Sequence, residues 1–518
     1  MATRQQKTDE MSVGFLSYEF PPKIYGGVGV HVTELARHLS ESIRQVHVFT
    51  SHVEGLDGQK AGNVYVHRSS KPFVSVSNHS CNIFERVMTN FNVAGMMDNH
   101  LSNNNANNDK LDLLHSQEEL VRMDATVVKN DTHPPTVITP HNTVVSRPEP
   151  DSMGVISRQN VVDKVNRFTD VSKYMRSELN ETFGITPRFE GLDGQKAGSV
   201  YVRKSSKPLV PAPNYSSKDF ERVMTNFNVA GMVEKHLSDA ELDLLHSHGG
   251  LIQLAAKEAK NDTGLPLVMT AHSTEINRLK PYRLSVVMEQ NVVDKVDRFI
   301  AVSRYMRREL NQTFGINYNK ITVIPNGVDT AVFKHREADD ICRKYQLDNK
   351  FIVLFVGRDD PQKGVKYLVN AVKKLASQIP EIMLVMVGHH DIYNEKHILC
   401  LPRVSRGELV KLHSLSDVFV LPSVYEPFGI VLLEAMACET PCIGIRTGGM
   451  PDIIDHDRTG LLVEPRSDEG ISEAIASLYH DPEKRCRMGK NGRDRVISDF
   501  SWKDISDKTI EVYQQMLH

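Results

Sequence analysis

Gly357-Arg358-Asp-Asp-Pro-Gln-Lys363-Gly364 places two cations between an apolar run and an amphipathic stretch. Arg and Lys together neutralise a diphosphate without a metal. Glu426 and Glu434 form a second element, Glu426-Pro-Phe-Gly429-Ile430-Val-Leu-Leu-Glu434, with E-x7-E spacing. Pro427 and Gly429 make Glu426 a loop residue ahead of a helix N-terminus, and Glu434 falls about a turn inside that helix. A carboxylate accepts hydrogen bonds from both members of a diol, which suits ribose or sugar hydroxyls. A third element, Thr447-Gly448-Gly449-Met-Pro-Asp452, is a small-residue turn that lets backbone approach a ligand. Helix N-termini and free backbone N–H groups attract phosphate. Together these features describe a nucleotide-sugar pocket. Each alone is a common turn or surface pair, so the reading rests on their order and their placement at strand ends.

Strands and helices alternate around these residues. Ser12 to Ser17 opens the pattern, and Gly26-Gly27-Val-Gly29 leads into the amphipathic stretch Val30 to Leu39. Phe351 to Val356, Ile382 to Val387, Val418 to Leu421 and Cys442 to Ile445 are short apolar runs suited to buried parallel strands. Val365 to Ile379 between the first two has helical spacing. Such a chain folds into parallel sheets with right-handed crossovers and binds ligands at the carboxyl ends of strands. Turn residues at Pro325-Asn-Gly327 mark the hinge between two halves.

Composition excludes several classes. The 518 residues carry 62 Lys plus Arg against 65 Asp plus Glu, a net charge of -3, which disfavours a nucleic-acid binder held by phosphate contacts. Mean hydropathy is -0.34, and no apolar run approaches the roughly 18 to 20 residues of a membrane span. Met1 to Glu10 is polar, without the apolar core of a secretory signal. The six cysteines have no C-x-x-C spacing; with Cys438 and Cys442 they are expected to be reduced core thiols in a cytoplasmic protein. This length exceeds what one hydrophobic core supports.

A long repeat alters the domain count. Gly55 to Gly62 recurs unchanged at Gly191 to Gly198, and Phe84 to Met96 recurs at Phe220 to Met232. Asn160 to Val165 recurs at Asn291 to Val296, the register slipping in the Asn-rich run Asn103 to Asn108. The copies diverge where Arg298-Phe-Ile-Ala301 is matched by Arg167-Phe-Thr-Asp170, and His246-Ser-His-Gly-Gly250 by His115-Ser-Gln-Glu-Glu119. Asp170 in a buried strand costs several kcal/mol. The first copy, 55-190, is therefore expected to be a degenerate duplicate of 191-319, lying outside the sheet. The expected domains are 1-54 with 191-325, then 326-500, then a final helix over 501-518.

Tyr18-Glu-Phe-Pro-Pro-Lys-Ile-Tyr-Gly-Gly-Val-Gly-Val-His31, Thr270-Ala-His-Ser-Thr274, Ile324-Pro-Asn-Gly-Val-Asp329, Gln362-Lys-Gly364 and Ser423-Val-Tyr-Glu-Pro-Phe-Gly429 resemble the motifs of family 4 GT-B retaining glycosyltransferases. The opening motif and Thr-Ala-His-Ser are most similar to bacterial and archaeal glycogen synthases. The resemblance covers about 11-54 and 191-518. It implies an α/β fold of the GT-B class, with two Rossmann-like domains facing across a cleft and a last helix, around Trp502 to Leu517, returning to the first domain. By motif position, Arg358 and Lys363 would bind the leaving diphosphate, Glu434 the ribose diol and Glu426 the glucose hydroxyls. Backbone at Gly429 and Ile430 would touch the distal phosphate, the Gly26-Gly27 loop would close over the diphosphate, and His272 would sit beside the reacting sugar carbon. The loop Leu401 to Val404 would hold the base, although only about ten residues separate Gly388 from Ile398, fewer than the family usually has.

The implied reaction moves glucose, with retention, from an NDP-glucose (UDP- or ADP-) to an α-glucan, with no cofactor and no metal. Alternatives are transfer to a small sugar, sugar-phosphate or lipid acceptor, and a catalytically impaired nucleotide-sugar or glycan-binding protein. His246 and His248 have metal-site spacing, but are read as pointing to opposite faces of a strand with no third ligand evident. His389-His390 is read as a solvated loop.

Overall fold

The computed structural model describes residues 8-69 other than 25, 52, 55 and 57, then 242-278, 292-388 and 395-517, isolated positions from 226 to 290, and three short strands between 114 and 168. Residues 1-72 and 224-518 form one compact unit, and 73-223 a second.

The larger unit holds two sheets. In its first half, β1 (Ser12–Ser17), β2 (Gln45–Thr50), β3 (Gln59–Ala61), β4 (Val64–Arg68), β8 (Leu244–His248), β9 (Leu267–Ala271), β10 (Arg298–Ala301) and β11 (Ile321–Val323) make one sheet in the order β11-β10-β9-β8-β1-β2-β4-β3. In its second half, β12 (Phe351–Val356), β13 (Ile382–Val387), β14 (Ile398–Leu401), β15 (Val418–Leu421), β16 (Cys442–Ile445) and β17 (Gly460–Val463) follow the order β14-β13-β12-β15-β16-β17. Every pairing in the larger unit is parallel except β3 with β4. All residues of β1, β8, β9 and β15 are buried, as strands covered on both faces by helices must be.

Helices α1 (Gly27–Leu39), α2 (Gln253–Thr263) and α3 (Arg304–Phe314) follow β1, β8 and β10. In the second half come α4 (Asp339–Tyr345), α5 (Val365–Leu375), α6 (Arg406–Leu415), α7 (Ile430–Ala437), α8 (Asp468–His480), α9 (Pro482–Asp499) and α10 (Trp502–Met516). Val32, Leu35, Ala36 and Leu39 form one stripe of α1, buried with Val13 and Phe15 of β1 and with Trp502, Ile505 and Tyr513 of α10. The last helix thus completes the core of the first half. Gly327 is required at this junction, because a Cβ there would lie 2.8 Å from Trp502 and Ile505.

The repeat is used differently from the expectation that all of 55-190 lies outside the sheet. Gln59 to Arg68, in the first copy, supply the β3–β4 hairpin that covers β2, with Val46 opposite Val64 and Val48 opposite Val66. The physical reason is proximity. The hairpin that follows β2 directly closes only a short loop, whereas its second-copy counterpart follows a detour of 136 residues. Gly62, at φ 59°, makes its tight turn. The boundary therefore falls near 72 rather than 54. In the smaller unit, β5 (Leu114–Ser116), β6 (Thr136–Ile138) and β7 (Arg167–Phe168) pair in parallel, Leu114 with Thr136 and Val137 with Arg167. These are the repeat equivalents of the Leu245–Leu267 and Val268–Arg298 pairs in β8, β9 and β10. Gln117 and Asp170 lie outside the described residues.

Because Lys71-Pro72 repeats as Lys207-Pro208, removing 73-208 keeps β3 and β4 and rejoins Pro72 to Leu209. This variant is expected to unfold cooperatively at a temperature no lower than the full chain. Removing 59-68 instead strips Val64 and Val66 from the edge of β2 and is expected to lower the melting temperature and solubility. A soluble 59-68 deletion as stable as the full chain, followed by circular dichroism, would contradict this assignment.

Candidate functional site

In the second half, β12 runs out at Gly357 and leaves Arg358 exposed, with no ion pair among the described residues. Asp360 then caps a turn of 3-10 helix, its Oδ1 accepting from Gln362 N–H at 2.9 Å, and Lys363 ends that turn. Gly364 has φ 64°, and a Cβ there would collide with the Pro422 carbonyl oxygen, so glycine fixes the turn against the next loop. Val424 N–H donates to Gln362 O at 2.8 Å, joining the two loops. Lys363 Nζ reaches Glu426 Oε2 at 2.6 Å, and Ser423 Oγ donates to the same oxygen at 3.2 Å. The cation and carboxylate assigned to different groups of a donor are therefore in direct contact.

Gly448 and Gly449 pack against the Glu426 loop. Their Cβ positions are blocked by the backbone of Glu426, Pro427 and Phe428, and Gly449 N–H donates to Glu426 O at 2.9 Å. The small residues admit the Glu426 loop. Gly429, at φ 106°, then starts α7, with Ile430 its first residue and Glu434 partly buried one turn in. Burial raises the Glu434 carboxyl to about 7, opposed by the Arg406 charge. Val404 is partly buried against the core beside β14, whose Leu401 O accepts from Gly388 N–H at 2.9 Å. The 401-404 loop thus keeps a place at the carboxyl edge of the sheet despite the shortened connection. His389 and His390 lie outside the described residues.

From the first half, Gly26 and Gly27 open α1 and are exposed. Glu19 Oε2 accepts from Gly26 N–H at 3.2 Å. A Cβ on Gly27 would lie 3.0 Å from Ile430 Cδ1, so the starts of α1 and α7 meet across the cleft. The capping pattern singles out this region. α1, α2, α5 and α7 follow the four central strands β1, β8, β12 and β15, and none has a capping N-cap side chain or an acidic residue in its first turn, although Asn226 Oδ1 accepts from Ala255 N–H in the first turn of α2 at 3.0 Å. The other described helices of eight or more residues are capped by Ser303, Ser405, Ser467, Asp481 or Ser501. Uncapped N-termini at the switch points of two parallel sheets, with Lys363 and Arg358 beside them, form an anion-binding edge.

The halves are tied by contacts that sequence patterns did not flag. Ser303 Oγ donates to Pro427 O at 2.7 Å, and Arg304 binds Asp452 through its backbone N–H at 2.6 Å and its Nε at 2.7 Å. Tyr425 OH reaches Glu309 at 2.9 Å and Thr274 O at 3.3 Å, and Thr274 Oγ1 also donates to Glu309. Only the adjacency of Ser303 to a helix start and of Tyr425 to Glu426 hinted at them.

His272 stands at the end of β9 amid His31, His246 and His248. Contrary to expectation, His246 and His248 share a face, because residues two apart on a strand point the same way, and their rings lie 4.0 Å apart. His246 is satisfied on both sides, Nδ1 to Tyr513 OH at 2.6 Å and Nε2 to Thr270 Oγ1 at 2.7 Å. Burial holds the His246, His248 and His272 rings well below the usual imidazole range and lowers His31 to about 4, with Asn326 opposing. All four are neutral at pH 7. Cys438 and Cys442 are buried thiols, Cys438 pushed up to about 12 by burial.

Residues 25–190 and 198–332 match the family model described as Glycosyltransferase Family 4, and 338–495 match Glycosyl transferases group 1. Among curated relatives, the alpha-maltose-1-phosphate synthase of Mycolicibacterium smegmatis is 35% identical over 310 residues, covering 53% of this chain and 79% of that protein. A glycogen synthase of Mycobacterium tuberculosis is 30% identical over 288 residues, covering 52% of this chain and 68% of that protein. The catalytic domain of starch synthase IV from Arabidopsis thaliana, solved bound to ADP and acarbose, aligns with a TM-score of 0.59 at 13% identity, covering 98% of this chain and 99% of that one. That last likeness concerns the fold. With two parallel α/β sheets meeting at uncapped helix starts, and a family model matched over more than half its length, the chain belongs to the family 4 GT-B glycosyltransferases.

Proposed function

We propose that the chain transfers glucose, with retention of anomeric configuration, from an NDP-glucose to an α-glucan. The observation that carries this reading is the set of uncapped N-termini of α1, α5 and α7 at the switch points, with Lys363 paired to Glu426 just ahead of the α7 start and Arg358 at the end of β12. A diphosphate leaving group is the anion this edge suits, and Lys363 is close enough to Glu426 for one to hold phosphate while the other holds sugar hydroxyls. His272, neutral, offers the sugar a hydrogen-bonding ring without adding positive charge beside an oxocarbenium-like centre. Stabilising the departing diphosphate is then the main electrostatic task. A second reading, transfer to a glucose phosphate, is favoured by the 35% identical relative named alpha-maltose-1-phosphate synthase. Released NDP measured with glycogen and with glucose 1-phosphate as acceptors separates the two.

Arg358→Ala and Lys363→Ala are each expected to lower kcat by about two orders of magnitude, as for other lost stabilisers of developing charge. Lys363→Ala also leaves Glu426 unpaired, so the Lys363→Ala/Glu426→Ala double variant should lose less than the sum of the single losses. Activity is expected to survive EDTA; loss with EDTA and recovery with Mg²⁺ would contradict the arrangement.

Glu434 gives a pH dependence. A carboxyl raised to about 7 ionises only above that pH, and its ionised form accepts from both ribose hydroxyls. UDP or ADP affinity is therefore expected to rise through about pH 7 and level off above it. Glu434→Gln should remove this component, leaving only the titration of the nucleotide phosphate near about pH 6. Calorimetric titrations at a series of pH values that show the same profile for both proteins would rule out the ribose role.

A further inference from the structure

The geometry points to a site for one borderline transition-metal ion, Zn²⁺ or a near neighbour, formed by His31, His248 and His272 and inhibitory when filled. The three come from different elements: His31 from α1, His248 from the end of β8 and His272 from the end of β9. One ring nitrogen from each lies within 4.8 Å of the others. Their rings pack at centroid distances of 5.5 Å for His31–His248, 4.6 Å for His31–His272 and 5.8 Å for His248–His272.

Their hydrogen bonding separates them from an ordinary core cluster. Among the described residues, both nitrogens of His248 and Nε2 of His272 are buried with no hydrogen bond partner, and those of His31, with Asn326 beside them, form no well-shaped one. Leaving a buried polar group unsatisfied is costly, and these nitrogens stand so, beside a His246 whose two are satisfied. Their neutral imidazoles are already in the protonation state that binds metal. No carboxylate belongs to the set, so it suits Zn²⁺, Co²⁺, Ni²⁺ or Cu²⁺ rather than Mg²⁺ or Ca²⁺. At a Zn–N distance of about 2.0–2.1 Å, tetrahedral ligand nitrogens stand roughly 3.4 Å apart, so ring rotations must draw the three together. The fourth position is left to water. That a bound ion inhibits rests on the placement of His272 beside the sugar; that it binds does not.

The test uses the full chain stripped with chelator and titrated calorimetrically with ZnCl₂, with Co²⁺ absorption reporting a tetrahedral nitrogen set. One ion per chain is expected, with His31→Phe and His248→Asn each weakening it at least about ten-fold. Metal-free melting curves show whether these variants fold. His272→Gln, at a partly exposed strand end, provides the same test if they do not. Affinity unchanged in these variants, as binding at the pair His47–His67 would give, overturns the site, as does failure to bind. Zn²⁺ that binds here without slowing transfer leaves the binding site standing and overturns the inhibitory role together with the placement of His272.

Discussion

Helix N-termini whose N-cap residues supply no side-chain cap set the terms for everything around them. Parallel β–α units place every helix start at the carboxyl edge of its sheet, and at β1, β8, β12 and β15 the following helices begin with glycine or apolar residues instead of Ser or Asp. Each carries about half a positive charge, and among the described residues only α2 has a first-turn N–H taken by a side chain from elsewhere, Asn226. Lys363 and Arg358 add to that potential, and Glu426 and Glu19 offset part of it within the protein. The site is thus electrostatically incomplete toward an anion.

Its parts hold position through close backbone packing. Gly364 lets the Lys363 turn lie on Pro422, and Gly448 with Gly449 lets a separate loop support Glu426 to Phe428. These contacts place Lys363, Glu426 and the start of α7 on one rigid loop cluster. Ser303, Arg304 and Tyr425 then connect that cluster to the first half. Tyr513 of α10, hydrogen bonded to His246, ties the returning helix to the strand that carries His248. The anion edge and the histidine cluster are consequently parts of one framework, α1 contributing Gly27 to the first and His31 to the second.

Much of this was legible in the sequence because it is local. Short apolar runs marked β12, β13 and β15, the first two ending at glycine, and the motif residues Arg358, Lys363, Glu426 and Glu434 all reached the same edge. What escaped depends on long-range packing. Gly448 and Gly449 have the composition of a ligand-approach turn, and only the fold shows backbone filling that space. The edge hairpin came from the first copy of the repeat because chain connectivity decided between near-identical segments that residue content could not rank. The His246–His248 reading failed on a strand-periodicity error, and the third and fourth histidines came from elements distant in sequence. Ser303 and Glu309 gave no motif signal, and Tyr425 and Asp452 lay in motifs read for other reasons, since each acts here through a partner more than 100 residues away.

The central claim, that uncapped helix starts with Lys363 and Arg358 hold a diphosphate, is tested most directly by comparing nucleotide diphosphates with monophosphates of the same base by calorimetry. UDP or ADP is expected to bind at least about 100-fold more tightly than UMP or AMP, a difference of about 2.7 kcal/mol, because the distal phosphate meets the α7 start and both cations. Equal affinities for the mono- and diphosphate would contradict the account.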